Sequence, residues 1–329
     1  MRPMRFVSTP LLILMALLSA CTSVPQRPSP PAEFWIDLAR GEEAAEADVL
    51  ADLAGAGVIY VGEVHRIRRH HDIQLQLLQQ LYARGVPLVL CLEQLEAPDQ
   101  AAVDRYGRGE TDFAGLVTAI DWAKKWSNHE EYRALCEFAR QHRIPIRALN
   151  APAAIIRAVS RGGGLARLPA DQRAQLPPEV LLDDPVYERL MQLELAVHAA
   201  VEPTKLRPMF EAQATRDDTM AANIVAARNT GSDKPRTAFV VLGAGHVRYG
   251  LGTAARVRRR APGIVERIVL MTSSGHLQKT AAEESATRKI DITHADLRSF
   301  ERPPGDYLRV LPRATAAANL PPGHPPLKP

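Results

Sequence analysis

The chain has 329 residues, 46% of them hydrophobic and 24% charged, with a formal net charge of +4 and a pI near 9.0. That apolar content excludes a disordered chain, and the length suits one α/β domain with additions. Basic residues cluster at Arg66 to Arg69 and Arg256 to Arg260 without interleaved aromatics, which argues against nucleic acid as partner and for an anionic ligand or lipid headgroups.

Residues 1–21, MRPMRFVSTPLLILMALLSAC, place Arg2 and Arg5 before an apolar run, Leu11 to Leu18, that ends in small residues and Cys21. This is the layout of a secretory signal, and the run is shorter than the ~20 apolar residues of a membrane span. LSAC resembles a bacterial lipobox, which makes Cys21 the lipid-bearing (palmitate-type) first residue of a lipoprotein. Thr22 stands where an inner-membrane retention aspartate would be, so the expected address is the outer membrane, lipid-anchored in the bilayer and facing the periplasm. Residues 22–33 then form a Pro-rich tether that cannot build a core.

GVIYVGE (57–63), VPLVLCLEQ (86–94), IPIRALN (144–150), TAFVVLGAGH (237–246) and VERIVLMTS (265–273) are short apolar runs rich in Val, Ile and Leu. Such runs suit strands buried on both faces of a parallel sheet. Between them, RHHDIQLQLLQQLYARG puts Ile73, Leu77, Leu78 and Leu81 on one helical face, and HEEYRALCEFARQH does the same with Tyr132, Leu135, Cys136 and Ala139. Ala151 to Asn229 reads as several helices. The pattern predicts an α/β domain over 34–274: a mostly parallel central sheet flanked by helices, with a helical insertion before the fourth core strand. In the C-terminal extension, 275–329, ITHADLRSF and DYLRVLPR offer material for a small element, and the Pro- and Ala-rich end has the composition of a disordered tail. Cys91 and Cys136 lie inside apolar segments and read as buried free thiols, with a disulfide between them as the alternative.

In open α/β sheets the ligand crevice lies beyond the carboxyl ends of the strands. The first predicted strand ends in Glu63 and His65, the second in Glu93 and Gln94, the third in Asn150, and the fourth in GAGH with His246. Gly62, Gly243 and Gly245 let the backbone turn tightly beside them. His70 and His71 open the next helix, where neighbours point about 100° apart, so at most one faces the crevice. Glu63, His65, Glu93 and His246 together suit a divalent metal such as zinc or manganese. They suit equally an acid/base pair in which a carboxylate orients an imidazole.

The ordered segments VGEVHRIRRHHDIQLQLLQQL, LVLCLEQLEAPDQAAVDRYGRGE, DWAKKWSNHEEYRALCEFARQHRIPIRALNAP, EAQATRDDTMAANI and GAGHVRYGLG run from roughly Val58 to Val257. Their series resembles the ChaN-like family of haem-binding uptake lipoproteins, within the wider Tiki/TraB and erythromycin esterase-like superfamily. The resemblance implies a non-enzymatic haem carrier in iron uptake. It implies haem held as a cofacial pair in a homodimer, with tyrosine ligation and a histidine contribution, and an outer-membrane haem receptor as partner. The matched residues expected at the haem site are Glu63, His65, His70, His71, Glu93, Tyr132, Gln213, Asp217, His246 and Tyr249. Tyr60, Tyr106, Tyr132 and Tyr249 all stay open as the iron ligand, and Arg66, Arg68, Arg69 and Arg248 stand beside the motifs as partners for the haem carboxylates. The alternative within the superfamily is a hydrolase in which Glu63, His65, Glu93 and His246 activate water directly or through a metal. Two departures from the family stand out: Asn128 or its neighbours where the family commonly has an additional aromatic residue, and Thr253 or Ala254 where it commonly has proline.

Overall fold

The structure is a computed structural model that describes residues 33–198, 203–230, 234–272 and 301–311. The signal segment, Cys21, most of the tether, ITHADLRSF and the Pro-rich end lie outside the described residues.

Eight strands form one sheet: β1 (Phe34–Asp37), β2 (Glu42–Ala44), β3 (Val58–Glu63), β4 (Leu88–Glu96), β5 (Ile146–Asn150), β6 (Thr237–Gly243), β7 (Glu266–Met271) and β8 (Tyr307–Val310). Their order is β2-β1-β8-β7-β3-β6-β4-β5. From β8 to β5 neighbours run parallel, while β1 is antiparallel to both β2 and β8. The helices are α1 (Glu46–Ala54), α2 (Arg68–Ala83), α3 (Gln100–Gly107), α4 (Phe113–Ala119), α5 (Trp122–Lys125), α6 (Arg133–Gln141), α7 (Ala153–Gly162), α8 (Ala170–Arg173), α9 (Pro185–His198), α10 (Pro203–Ala227) and α11 (Gly252–Arg260).

The apolar runs form central strands because consecutive side chains alternate between two cores. Ile59, Val61, Leu90, Leu92, Phe239 and Val241 face one layer with Leu53 of α1, Leu77 and Leu81 of α2, and Leu135 of α6. Val58, Tyr60, Val89, Cys91, Val240 and Leu242 face the other, against Met220 and Ile224 of α10 and Val257 of α11. The helical insertion therefore contributes to the main body: the second half of α10 packs on the sheet, and α7 packs along α10 through a separate cluster that includes Ile156, Val159 and Ala212. Cys91 and Cys136 are both free and buried, so the disulfide alternative is set aside.

Two boundaries move. Residues Tyr307 to Val310 lie between β1 and β7, so the expected domain end at 274 leaves out a strand of the sheet; DYLRVLPR supplies β8. Glu33, placed at the end of the tether, belongs to the body, since its carboxylate accepts from Arg69 at 2.6 and 2.7 Å and from Arg309 at 3.2 Å.

Candidate functional site

The ends of β3, β4 and β6 meet above the sheet. The β4–β6 ladder stops at Leu92 opposite Val241, and the Glu93 side chain takes over: its Oε2 accepts the Gly243 N–H at 2.6 Å. On the other edge β4 bulges, its register against β5 slipping between Leu92 and Glu96, and Asn150 Nδ2 donates to the Glu93 carbonyl at 3.1 Å. A bulge beside a site re-aims side chains. Gln94 consequently reaches Glu63 while Glu93 faces His246.

Glu63 is buried, 2% exposed, and an uncompensated carboxylate there would be costly. It is saturated with donors. Oε1 accepts from His65 Nδ1 at 2.7 Å, from Gln94 Nε2 at 3.1 Å and from the Tyr132 hydroxyl. Oε2 accepts from Gln74 Nε2 at 2.6 Å and lies 3.3 Å from His71 Nδ1. Burial raises the Glu63 pKa, but the hydrogen bonds from His65 and His71 outweigh it and hold the carboxylate well below the usual range. The same partners work in reverse on the imidazoles. Burial lowers both His65 and His71, yet Glu63 raises both, His71 to about 9.

His71 and His70 separate as adjacent helix residues must. His71 turns to the site, its Nε2 also 2.8 Å from Glu131 Oε2. His70 turns to the strand ends: Nδ1 accepts the Val64 N–H at 3.0 Å and Nε2 donates to the Thr272 carbonyl at 3.1 Å. Both His70 ring nitrogens thus tie the residues that follow β3 and β7 together, and His70 is not among the residues that line the cavity above the strand ends.

A second buried cluster surrounds His246. Its Nδ1 lies 2.6 Å from Asp217 Oδ1 and its Nε2 3.3 Å from Glu93 Oε1. Gln213 Nε2 stands 3.1 Å from Nδ1. Asp217 also accepts from Thr253 at 2.7 Å and from the Tyr187 hydroxyl at 2.6 Å, so the threonine in place of the usual proline has a partner. Asn128, the other departure, donates to the His65 carbonyl. Burial lowers His246, but the charges of Glu93 and Asp217 push it up to about 10. Burial raises Glu93, and the His246 charge brings it down to about 2.

Over these clusters lies a cavity of about 650 Å³, within the ~300–1,000 Å³ range of small-molecule sites. Its floor carries Glu63, His65, Gly243 and His246, its apolar walls Met191, Met209, Ala212 and Ala244, and its polar wall Gln213, Arg216 and Arg248. The His65 side chain is 37% exposed. With Nδ1 held by Glu63, the Trp126 ring edge-on at 4.9 Å and no partner on Nε2 among the described residues, that nitrogen is the site's available imidazole donor. A haem needs an apolar slot, an axial nitrogen or phenolate, and cations for its carboxylates. His65 Nε2, the methionine walls and the arginines supply each.

The expected tyrosine ligands fit less well. Tyr60 and Tyr106 are fully buried in the cores. Tyr132 is equally buried, and its hydroxyl is committed to Glu63; burial and that carboxylate raise its pKa far above the usual phenol value, which opposes a phenolate. Tyr249 lines a neighbouring cavity of about 370 Å³ with Arg258 and Arg302. Among the described residues, no tyrosine lines the larger cavity. The divalent-metal set is not supported either: the Glu63 carboxylate is taken up by five donors and His246 is held between Asp217 and Glu93, and no group of three or more His, Cys, Asp or Glu among the described residues is arranged to hold a metal ion. Of the expected arginines, Arg69 pairs with Glu33, Arg66 and Arg68 are exposed, and Arg248 lines the cavity. Arg216 also lines the cavity; its only signal in the sequence is its spacing from Met209, Ala212 and Gln213 on one helix face.

Comparison with known proteins places these observations. A solved ChaN from Campylobacter jejuni, described by its cofacial haem binding, superposes with a TM-score of 0.60 at 16% identity, covering 84% of this chain and 96% of that one. An erythromycin esterase variant in its open conformation matches with a TM-score of 0.42 at 11% identity, over 72% of this chain and 76% of that one. A Vibrio vulnificus MARTX toxin effector domain matches at 0.39 and 14%, over 75% and 40%. No curated protein sequence is similar enough to match. The family profile described as "Haem-binding uptake, Tiki superfamily, ChaN" matches residues 49–257, more than half of the chain and every residue of the two clusters. The chain belongs to the ChaN family of haem-binding uptake proteins in the Tiki superfamily.

Proposed function

We propose that the chain binds haem in the larger cavity, with His65 Nε2 toward the iron and Glu63 holding the imidazole from behind. The observation that carries this is the Glu63–His65 contact of 2.7 Å at the floor of an otherwise apolar and cationic cavity. Histidines that ligate metal ions characteristically give their other ring N–H to a carboxylate, which fixes the ring and strengthens the free nitrogen. When bound, haem supplies the iron; the protein's part is to present one nitrogen, exclude water with the methionine walls and meet the carboxylates.

The cellular setting we propose is an outer-membrane lipoprotein, anchored through Cys21 and facing the periplasm, that hands haem on in iron uptake. The LSAC motif with Thr22 supports the address. The cofacial haem of the C. jejuni relative supports a homodimer that forms around haem, with an outer-membrane haem receptor upstream. Incorporation of labelled palmitate that disappears in Cys21→Ser tests the anchor.

Haem binding is tested by titrating the purified full chain with haemin and following the Soret band. One haem per chain is expected, with the band shifted in His65→Ala and unmoved in Tyr132→Phe. A chain that takes up no haemin overturns the reading. A Soret band unchanged by His65→Ala but displaced by Tyr132→Phe overturns the ligand assignment.

A further inference from the structure

Arg216 lies on the stripe of α10 that faces the cavity, at the spacing Met209, Ala212, Gln213, Arg216, which is one helical face. Around it every nearby acid is already committed. Asp217, the next residue, points about 100° away and holds His246, Thr253 and Tyr187. Asp218 is fully buried and takes Arg256 at 3.0 Å, Arg260 at 2.6 Å and the Leu181 N–H at 2.7 Å. Glu211, one turn back, accepts from Arg207 and from the Leu165 N–H. On the cavity lining itself Glu63 is the one acid among the described residues, and five donors saturate it. Arg216 is half-buried and has no ion-pair or hydrogen-bond partner among the described residues.

A guanidinium partly withdrawn from water without a counter-ion is unfavourable unless a ligand provides one. The geometry gives that ligand group a character. Arg216 lines the same cavity as His65, together with Met191, Met209, Ala212, Gln213 and Arg248, and a planar fork of N–H donors matches a carboxylate bidentately.

From this we infer that Arg216 is the receptor for a carboxylate arm of the bound ligand, and so selects an apolar, planar molecule that carries a carboxylate at its edge. The inference rests on the haem reading and assigns the haem propionates their principal anchor. Arg216 also makes the cavity select against the neutral, esterified form of the same molecule, because esterification covers the half-buried guanidinium without pairing it.

The test compares haemin with haemin dimethyl ester on the unaltered full chain and on Arg216→Gln and Arg216→Lys, by absorbance titration with calorimetry as a second readout. The unaltered chain is expected to prefer haemin. Arg216→Gln is expected to weaken haemin binding roughly tenfold or more while leaving the ester's affinity equal or higher, since the unpaired guanidinium is gone, and Arg216→Lys to fall between. Equal haemin affinity in the unaltered chain and Arg216→Gln overturns the assignment and leaves the haem reading standing. Equal weakening of haemin and ester by Arg216→Gln also overturns it, since that is the mark of a purely structural role. Uptake of neither ligand by the unaltered chain overturns both readings, so the two failures are distinct.

Discussion

Glu63 Oε1 and His65 Nδ1 stand 2.7 Å apart, and this contact fixes one imidazole nitrogen and leaves the other on the cavity lining. Replacing Glu63 by glutamine keeps the shape of the side chain and removes its charge. His65 then loses the charged partner that orients it, and Gln74, Gln94 and Tyr132 are left with one acceptor oxygen where there were two. Haemin affinity in Glu63→Gln is expected to fall by about 10–100-fold, the usual cost of losing such a partner behind a ligating histidine. An affinity within a factor of two of the unaltered chain, in a Soret titration, would sink the role given to this carboxylate.

Stability should depend on pH through the second cluster. Burial lowers the pKa of His246, but Glu93 and Asp217 raise it from 6.5 to about 10. A folded pKa above the unfolded one gives stability that is complete below pH 6.5 and is lost as pH rises through about 10. Burial raises Glu93, but the His246 charge lowers it from 4.5 to about 2, so its contribution is complete above pH 4.5 and is lost as pH falls through about 2. His71, raised to about 9 by Glu63 against burial, adds to the alkaline loss. Thermal melts of the ligand-free chain should therefore peak between pH 4.5 and 6.5 and decline toward pH 10. In His246→Gln the alkaline decline should shrink; a melting temperature that climbs steadily from neutral to alkaline pH contradicts the arrangement.

The open edge of the sheet offers a test of the fold. β5 is the last strand, and a free edge invites pairing with other chains. Gln100 closes it in the manner of a further strand: Oε1 accepts the Ala148 N–H at 2.8 Å and Nε2 donates to the Ile146 carbonyl at 3.0 Å. Gln100→Ala should cost about 1–2 kcal/mol in denaturant unfolding and increase aggregation during refolding, without moving the Soret band of the haem-loaded chain.

These tests draw on features of unequal visibility in the sequence. The five strands β3 to β7 are legible because Val, Ile and Leu runs buried on both faces need no partner pattern to be recognised, and Glu63, His65, Glu93 and His246 stand out as polar residues closing such runs. β8 is not legible in the same way. Its four residues, Tyr307 to Val310, are all only half-buried and far along the chain from β7, so neither run length nor periodicity marks them. Which of His70 and His71 faces the site depends on helix phase relative to β3, a tertiary quantity. Arg216 is hidden by composition, since RDD reads as a solvated polar stretch until the structure shows Asp217 and Asp218 turned inward. Tyr132 is the opposite case: its buried hydroxyl donates to Glu63, a partner that sequence spacing does not reveal.

Gly243 isolates the position of His65 from its chemistry. A Cβ built there lies 3.0 Å from His65 Nε2 and 3.1 Å from Cε1, tighter than normal packing, so the ring would have to give way. The backbone does not need glycine, since φ is −60° and ψ 136°, a conformation that alanine adopts freely. Gly243→Ala should therefore leave stability unchanged or raise it by about 0.4–1 kcal/mol through the unfolded chain. His65, with its side chain 37% exposed, can give by the few tenths of an ångström required, but only by shifting against Glu63 at Nδ1 and the Trp126 ring. The displaced nitrogen should weaken haemin binding several-fold, in a protein that melts at or above the temperature of the unaltered chain. Haemin affinity that survives Gly243→Ala intact would mean that the iron does not approach His65 across this glycine.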